Sequence, residues 1–156
     1  DQEGGEVHQL RGEGFTRPPS AKEQARMSSA ALTKAATGWA RELAAAGVNV
    51  NLAPVTDTVP ADIGRANEPI GRWGRQYGSD PKTVERASTA FLEGMLAGGV
   101  EGTVKHFPGI GRAARNTDRA AVAIGASRRE IARSAASRPT TAVAGTSPRK
   151  RAPPKE

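Results

Sequence analysis

Lys105-His106-Phe107-Pro108-Gly109 ends a short apolar run, Val100 to Val104, and leads through Ile110-Gly111-Arg112 to Asn116-Thr117-Asp118. A lysine and a histidine at a strand tip, followed by Pro and Gly that break the strand, is how an α/β protein presents polar groups to a ligand. Asp1 and Arg75 add a carboxylate and a second cation from other loops. Two cations, a carboxylate and an imidazole each hold hydroxyl groups in fixed directions, so the set suits a polyhydroxylated ligand. Plainer readings stand beside these. His106 could merely cap a strand, Asp1 could cap the N–H groups of a turn, and Arg75 and Asp118 could be solvated loop residues.

The elements that must position these residues are legible around them. Ser20, with Glu23 three residues on, is a capping box opening a helix over about 21–46. Leu32, Ala35, Ala36, Trp39, Ala40 and Leu43 recur at three- and four-residue steps and mark its buried stripe, with a break expected near Met27–Ser29. Gly47 stands where a helix C-terminal glycine belongs. Residues 48–53 alternate apolar and polar and read as a strand with Asn49 and Asn51 on one face, pointing inward or toward the helices according to register. Residues 56–80 form a long connection of the kind that is usually functional, and the better reading of Asp57 within it is a side chain that holds the loop. Asp80-Pro81 starts the next helix, with Val84, Ala87, Ser88, Phe91, Met95 and Leu96 inward. His8 reads as a loop or surface residue.

The 156 residues suffice for one domain, and the formal charge of +7 is uneven. Residues 126–156 carry eight Lys or Arg against two Glu, so the body before them is nearly neutral and a nucleic-acid reading rests on the tail alone. The absence of cysteine excludes disulfides and thiolate metal sites, and no metal or cofactor is expected. There is no apolar run of the length a membrane-spanning helix needs.

Four motifs in order, Asp1-Gln2-Glu3-Gly4-Gly5, Gly47-Val48-Asn49-Val50-Asn51-Leu52-Ala53-Pro54-Val55, Arg75-Gln76-Tyr77-Gly78-Ser79-Asp80-Pro81 and Lys105-His106-Phe107-Pro108-Gly109, resemble the N-terminal barrel domain of glycoside hydrolase family 3, in particular its bacterial β-N-acetylglucosaminidase branch. The resemblance covers roughly residues 1–120. It implies an α/β fold of the (β/α)₈ TIM-barrel type. Such a barrel takes roughly 250 residues, so about three β/α units are expected here, as a partial barrel over residues 1–125. It also implies a retaining glycosidase that removes terminal β-linked N-acetylglucosamine from a glycan or peptidoglycan fragment, with Asp1, Arg75, Lys105 and His106 holding the sugar. Gln9 departs from an Arg common in the family. The family's acid/base is the His of an Asp-Ser/Thr-His triplet; here the triplet is Asn116-Thr117-Asp118, so the proton-transfer group is either Asp118, which could do the work if burial raised its pKa toward neutrality, or another group. No nucleophile is assigned, because its motif lies beyond the matching region.

Residues 126–156 are expected to be a disordered basic tail, either a natural linker or an out-of-register reading frame, with a nucleic-acid-binding role for Arg149-Lys150-Arg151 as the functional alternative. The chain begins inside a motif without an initiator Met, so its true N-terminus is expected to be missing, and cytoplasmic and exported locations both stay open. The readings compared are a glycosidase catalytic-domain fragment, a non-catalytic sugar-binding remnant or pseudoenzyme, and a basic nucleic-acid-binding protein.

Overall fold

A computed structural model describes residues 1–135. The elements are β1 (Gln2–Gly4), β2 (Val7–His8), α1 (Ala21–Gln24), α2 (Ser29–Ala45), β3 (Val50–Asn51), α3 (Pro81–Ala97), β4 (Glu101–Gly102) and α4 (Arg128–Ala135), with 3₁₀ turns at Gly64–Ala66 and Gly71–Trp73. Strands β3 and β4 are parallel, crossed over by α3, and a bridge between Val55 and Lys105 prolongs their pairing. The expected strands over 48–53 and 100–104 are thus shorter ladders within extended segments. Strand β1 pairs antiparallel with β2 and reaches β3 through the Asn51 amide, which accepts from Gln2 N–H at 2.9 Å and donates to Gln2 C=O at 3.1 Å. The result is an open α/β assembly of three strand-led units.

Local chemistry sets the helix boundaries. The Ser20–Glu23 capping box opens α1, which ends after one turn. At the break, the Arg86 guanidinium donates to Met27 C=O at 3.0 Å and to Ala25 C=O, supplying partners for carbonyls that a continued helix would have used. Ser28 then caps α2, and Asp80, with Pro81 in the first turn, caps α3. Both long helices stop in a Schellman motif. Val48 N–H bonds Leu43 C=O and Val100 N–H bonds Met95 C=O, with Gly47 and Gly99 at φ of 84° and 90° where a side chain would be strained.

Helices α2 and α3 pack on each other and on the β3–β4 side through Leu32, Ala36, Trp39, Ala40, Val84, Phe91 and Met95. Gly94 lets them approach: a Cβ there would lie 2.5 Å from both Ala36 Cβ and Thr33 C=O. Asn51 shares this helix-facing side, against Met95, while Val50 and Leu52 on the opposite face are exposed. The register therefore turns Asn51 toward the helix layer, while Asn49 is exposed, and the apolar face of Val50 and Leu52 that a closed barrel would bury lies open.

Three expectations are corrected. Leu96 is 42% exposed, because it sits one position past the stripe that Met95 closes. His8 is buried in β2 with Nδ1 2.9 Å from Gly5 C=O. In the expected disordered tail, residues 128–135 form a helix opened by a second capping box, Ser127 with Glu130. Residues 136–156 of that tail, Arg149-Lys150-Arg151 among them, lie outside the described residues.

The close helix contact makes a paired prediction. Gly94→Ala forces the helices apart and destabilises by about 1–3 kcal/mol. Gly38→Ala, on the exposed side of α2 with open space at its Cβ, stabilises by about 0.5–1 kcal/mol. Urea denaturation of both variants checks this; equal effects at the two sites would contradict the packing described.

Candidate functional site

Strand β1 ends and Lys105 follows β4 at the same end of the assembly. With the loops over 56–80 and 106–118 they form a cleft of about 540 Å³. Asp1, Arg75, Lys105, His106 and Asp118 all line it, so residues up to 117 positions apart in the chain come to one place.

At its base lies a residue that the sequence reading left out. Glu3 is only 5% exposed and is gripped by both cations. Arg75 holds it bidentately, Nε to Oε2 at 2.9 Å and Nη2 to Oε1 at 2.8 Å, while Lys105 Nζ stands 2.6 Å from Oε1. Lys105 Nζ also reaches Asp1 Oδ1 at 2.5 Å. Burial pushes the Glu3 carboxyl up, but the hydrogen bonds and charges of Arg75 and Lys105 outweigh it and hold the group below its ordinary 4.5. For Arg75, burial acts to lower its pKa, but Glu3, aided by the charges of Asp57 and Asp118, raises it. A signal for Glu3 was available: alternation along β1 puts Asp1 and Glu3 on one face, with Gln2 opposite.

Further buried groups brace this cluster. Gln24 Nε2 donates to Glu3 C=O and Pro19 C=O, both at 2.8 Å, and its Oε1 accepts from Tyr77 Oη at 3.2 Å. Tyr77 is buried in turn, and desolvation pushes its phenol well up, with the charge of Glu3 adding to the shift.

His106 is oriented by Asp57, whose side chain is fully buried. Asp57 Oδ2 lies 2.6 Å from His106 Nδ1 and accepts from His106 N–H at 3.2 Å, and Oδ1 accepts from Ile110 N–H at 2.6 Å. Asp57 thus holds the loop, as expected, and also fixes the imidazole, leaving Nε2 for a ligand. Asn67 joins the two long loops: Nδ2 donates to Ile110 C=O and Ala113 C=O, both at 2.8 Å, and Oδ1 accepts from the N–H groups of Ile70 and Gly71. Glu68 accepts from Asn116 N–H at 2.8 Å. Asp118 is exposed at the cleft wall, in an Asx turn with its N–H on Asn116 Oδ1 at 2.9 Å. Trp73, also missed, is 52% exposed beside these groups. Among the described residues, no cluster of His, Cys, Asp or Glu could hold a metal ion, and no helix is long and apolar enough to cross a membrane.

The folded Glu3 pKa lies below the unfolded one, so its stabilisation is complete above the ordinary 4.5 and is lost as pH falls through the folded value. Thermal denaturation between about pH 7 and pH 3 should show that acid limb. Glu3→Gln should flatten it and cost about 3–5 kcal/mol at neutral pH, since two cations lose a buried partner. An unchanged limb in the variant would contradict the assignment to Glu3.

Comparison with known proteins gives this site a lineage. The model of the glycosyl hydrolase family 3 N terminal domain matches residues 1–143. A β-hexosaminidase of Vibrio cholerae serotype O1 is 44% identical over 113 residues, which is 71% of this chain and 32% of the relative. The crystal structure of a β-N-acetylhexosaminidase from Beutenbergia cavernae superposes with a TM-score of 0.74 at 50% identity, over 76% of this chain and 35% of that one. A family 3 β-N-acetylglucosaminidase from Paenibacillus superposes with a TM-score of 0.73 at 31% identity, over 88% and 25%. The chain spans about a third of the length of the curated relatives it matches. Its fold is that of part of their α/β barrel domain, and the chain belongs to the glycosyl hydrolase family 3 N-terminal domain family.

Proposed function

We propose that the cleft holds the terminal sugar of a β-linked N-acetylglucosamine-containing glycan, in a protein whose intact form is a retaining β-N-acetylhexosaminidase. The observation that carries this is the convergence of Asp1, Arg75, Lys105 and His106 on one cleft, in a chain whose relatives are named for that activity. Asp1 and Lys105 accept from and donate to adjacent hydroxyls, and His106 Nε2 takes another. Arg75 has three of its donors engaged, two by Glu3 and one, Nη1, by Pro69 C=O at 2.8 Å, so its remaining N–H groups serve the ligand.

Asp118 is the proposed proton donor by elimination, because among the described cleft carboxylates Asp1 and Glu3 are committed to ion pairs and Asp57 to His106; it is exposed, so the burial that would suit an Asp to this role is not supplied by the described residues. A retaining mechanism also needs a carboxylate nucleophile, and no group here is assigned that role. The reading for this chain by itself is therefore a non-catalytic sugar-binding piece, with no cofactor. The nucleic-acid alternative has its basic cluster outside the described residues.

The test is an aryl β-N-acetylglucosaminide assay beside calorimetric binding of N-acetylglucosamine. The purified chain should bind the sugar and hydrolyse nothing above background, and Lys105→Ala should weaken binding roughly tenfold or more, as loss of a charged hydrogen bond does. Turnover that Lys105→Ala abolishes would overturn the non-catalytic reading. Sugar binding indifferent to Lys105→Ala would overturn the site.

A further inference from the structure

Gln24 is wholly buried in a helix of a single turn, and neither it nor Tyr77 lines the cleft. Its side chain is nonetheless fully engaged. Both amide protons are used, on Glu3 C=O and Pro19 C=O, and its Oε1 accepts from the Tyr77 hydroxyl. One amide therefore joins three segments: β1, the turn before α1, and the stretch from Arg75 to Tyr77. Gly4 packs directly on this joint, since a Cβ there would lie 2.2 Å from Pro19 C=O and 2.9 Å from Gln24 Nε2. The joint is also fixed from outside. Arg86 of α3 donates to Ala25 C=O and Met27 C=O just after Gln24, so the short helix is tied to the α2–α3 base.

Glu3 is the residue through which this joint meets the site. Its backbone carbonyl rests on Gln24, while its carboxylate holds Arg75 and Lys105. Tyr77 stands two residues from Arg75, with its ring in the main core. The two ends of the Glu3–Arg75 pair are thus tied together a second time, behind the cleft, through Gln24 and the Tyr77 hydroxyl. A shift of either end would misplace the N–H groups of Arg75 and Lys105 that face the ligand, and a site looser by about an ångström loses its directionality. We propose that Gln24 and the Tyr77 hydroxyl are positioning residues of the sugar site, setting its affinity through Glu3 and Arg75 without touching the ligand. This rests on the sugar-binding reading above and adds to it the residues that govern affinity from behind the cleft. An ionised acid could not replace the glutamine, because it would have no proton for either carbonyl.

Calorimetric titration of the full chain with N-acetylglucosamine tests this. Tyr77→Phe keeps the ring in the core and removes only the hydroxyl. It should weaken the sugar about three- to tenfold, as loss of one hydrogen bond in a buried network does. Gln24→Glu gives a readout that a packing role alone would not move. Its carboxyl, buried against two carbonyls and near the Glu3 charge, titrates high and can donate only when protonated. Relative to the unmodified chain at the same pH, the sugar should bind about tenfold more weakly at pH 8, and most of that gap should close at pH 5. Glu3 stays ionised and Tyr77 stays protonated over this range, so the closing reports the introduced carboxyl. Circular dichroism at each pH checks the fold, and loss of the helical signal at pH 8 together with binding overturns the inference in favour of a stability role. A deficit in Gln24→Glu that does not change with pH overturns it too. Affinity within about twofold of the unmodified chain in either variant at pH 8 overturns it and leaves the sugar-binding reading standing. Failure of the unmodified chain to bind the sugar overturns that reading and this inference together.

Discussion

The pairing of Glu3 with Arg75 and Lys105 is the contact on which the cleft depends. A carboxylate this deeply buried is costly unless its charge is met and its oxygens are filled. Both oxygens are filled here, by donors from the loop over 56–80 and from the segment after β4. Because those donors come from segments 72 and 102 residues away along the chain, the ion pairs that offset burial also fix the relative positions of β1, the long loop and the Lys-His segment. Two cations held side by side by one carboxylate, with Asp1 above them, remain available to a polar ligand without repelling each other apart.

Rigidity reaches the site from two sources. The α2–α3 pair supplies a close-packed base, drawn together at Gly94 and ended cleanly by glycine caps. The loops above it are held by buried polar side chains rather than by apolar packing: Asn67 satisfies four backbone groups and Asp57 two, while fixing His106 as well. Such groups are specific in geometry, as the proposed sugar site requires, and each is expensive to leave half-satisfied. Val50, Leu52 and Val104 along the strand segments are exposed apolar residues, in a chain that covers 35% of the Beutenbergia structure on which it superposes.

Much of this was legible in the residues, and the division follows the range of the interactions. Ser20 with Glu23, Asp80 with Pro81, Gly47 and Gly99 act on neighbours within a turn, so their caps and stops could be read from sequence. The helix break at Met27–Ser29 was visible, but its support by Arg86, some sixty positions away, was not. The roles of Asp1, Arg75, Lys105 and His106 were inferred from motifs, and the structure places all four on one cleft. Glu3 escaped notice because its neighbours in the same motif drew the assignment, although strand alternation pointed to it. The Asp57–His106 contact and the Asn67 staple join residues more than forty apart, and no local pattern announces such partners. The helix at 128–135 was missed because composition suggested disorder, while the Ser127–Glu130 box, of the same kind as Ser20–Glu23, was passed over.

The family relationship explains why this constellation exists, and the Glu3 cluster explains how the present chain maintains it. The most direct test is the coupling energy between Glu3 and Arg75, from a double-mutant cycle of Glu3→Gln, Arg75→Gln and the double variant in urea denaturation at neutral pH. If the pair organises the cleft, the double variant should be less destabilised than the sum of the singles by about 1–3 kcal/mol. Effects that add to within about 0.5 kcal/mol would show two independent residues and contradict the account.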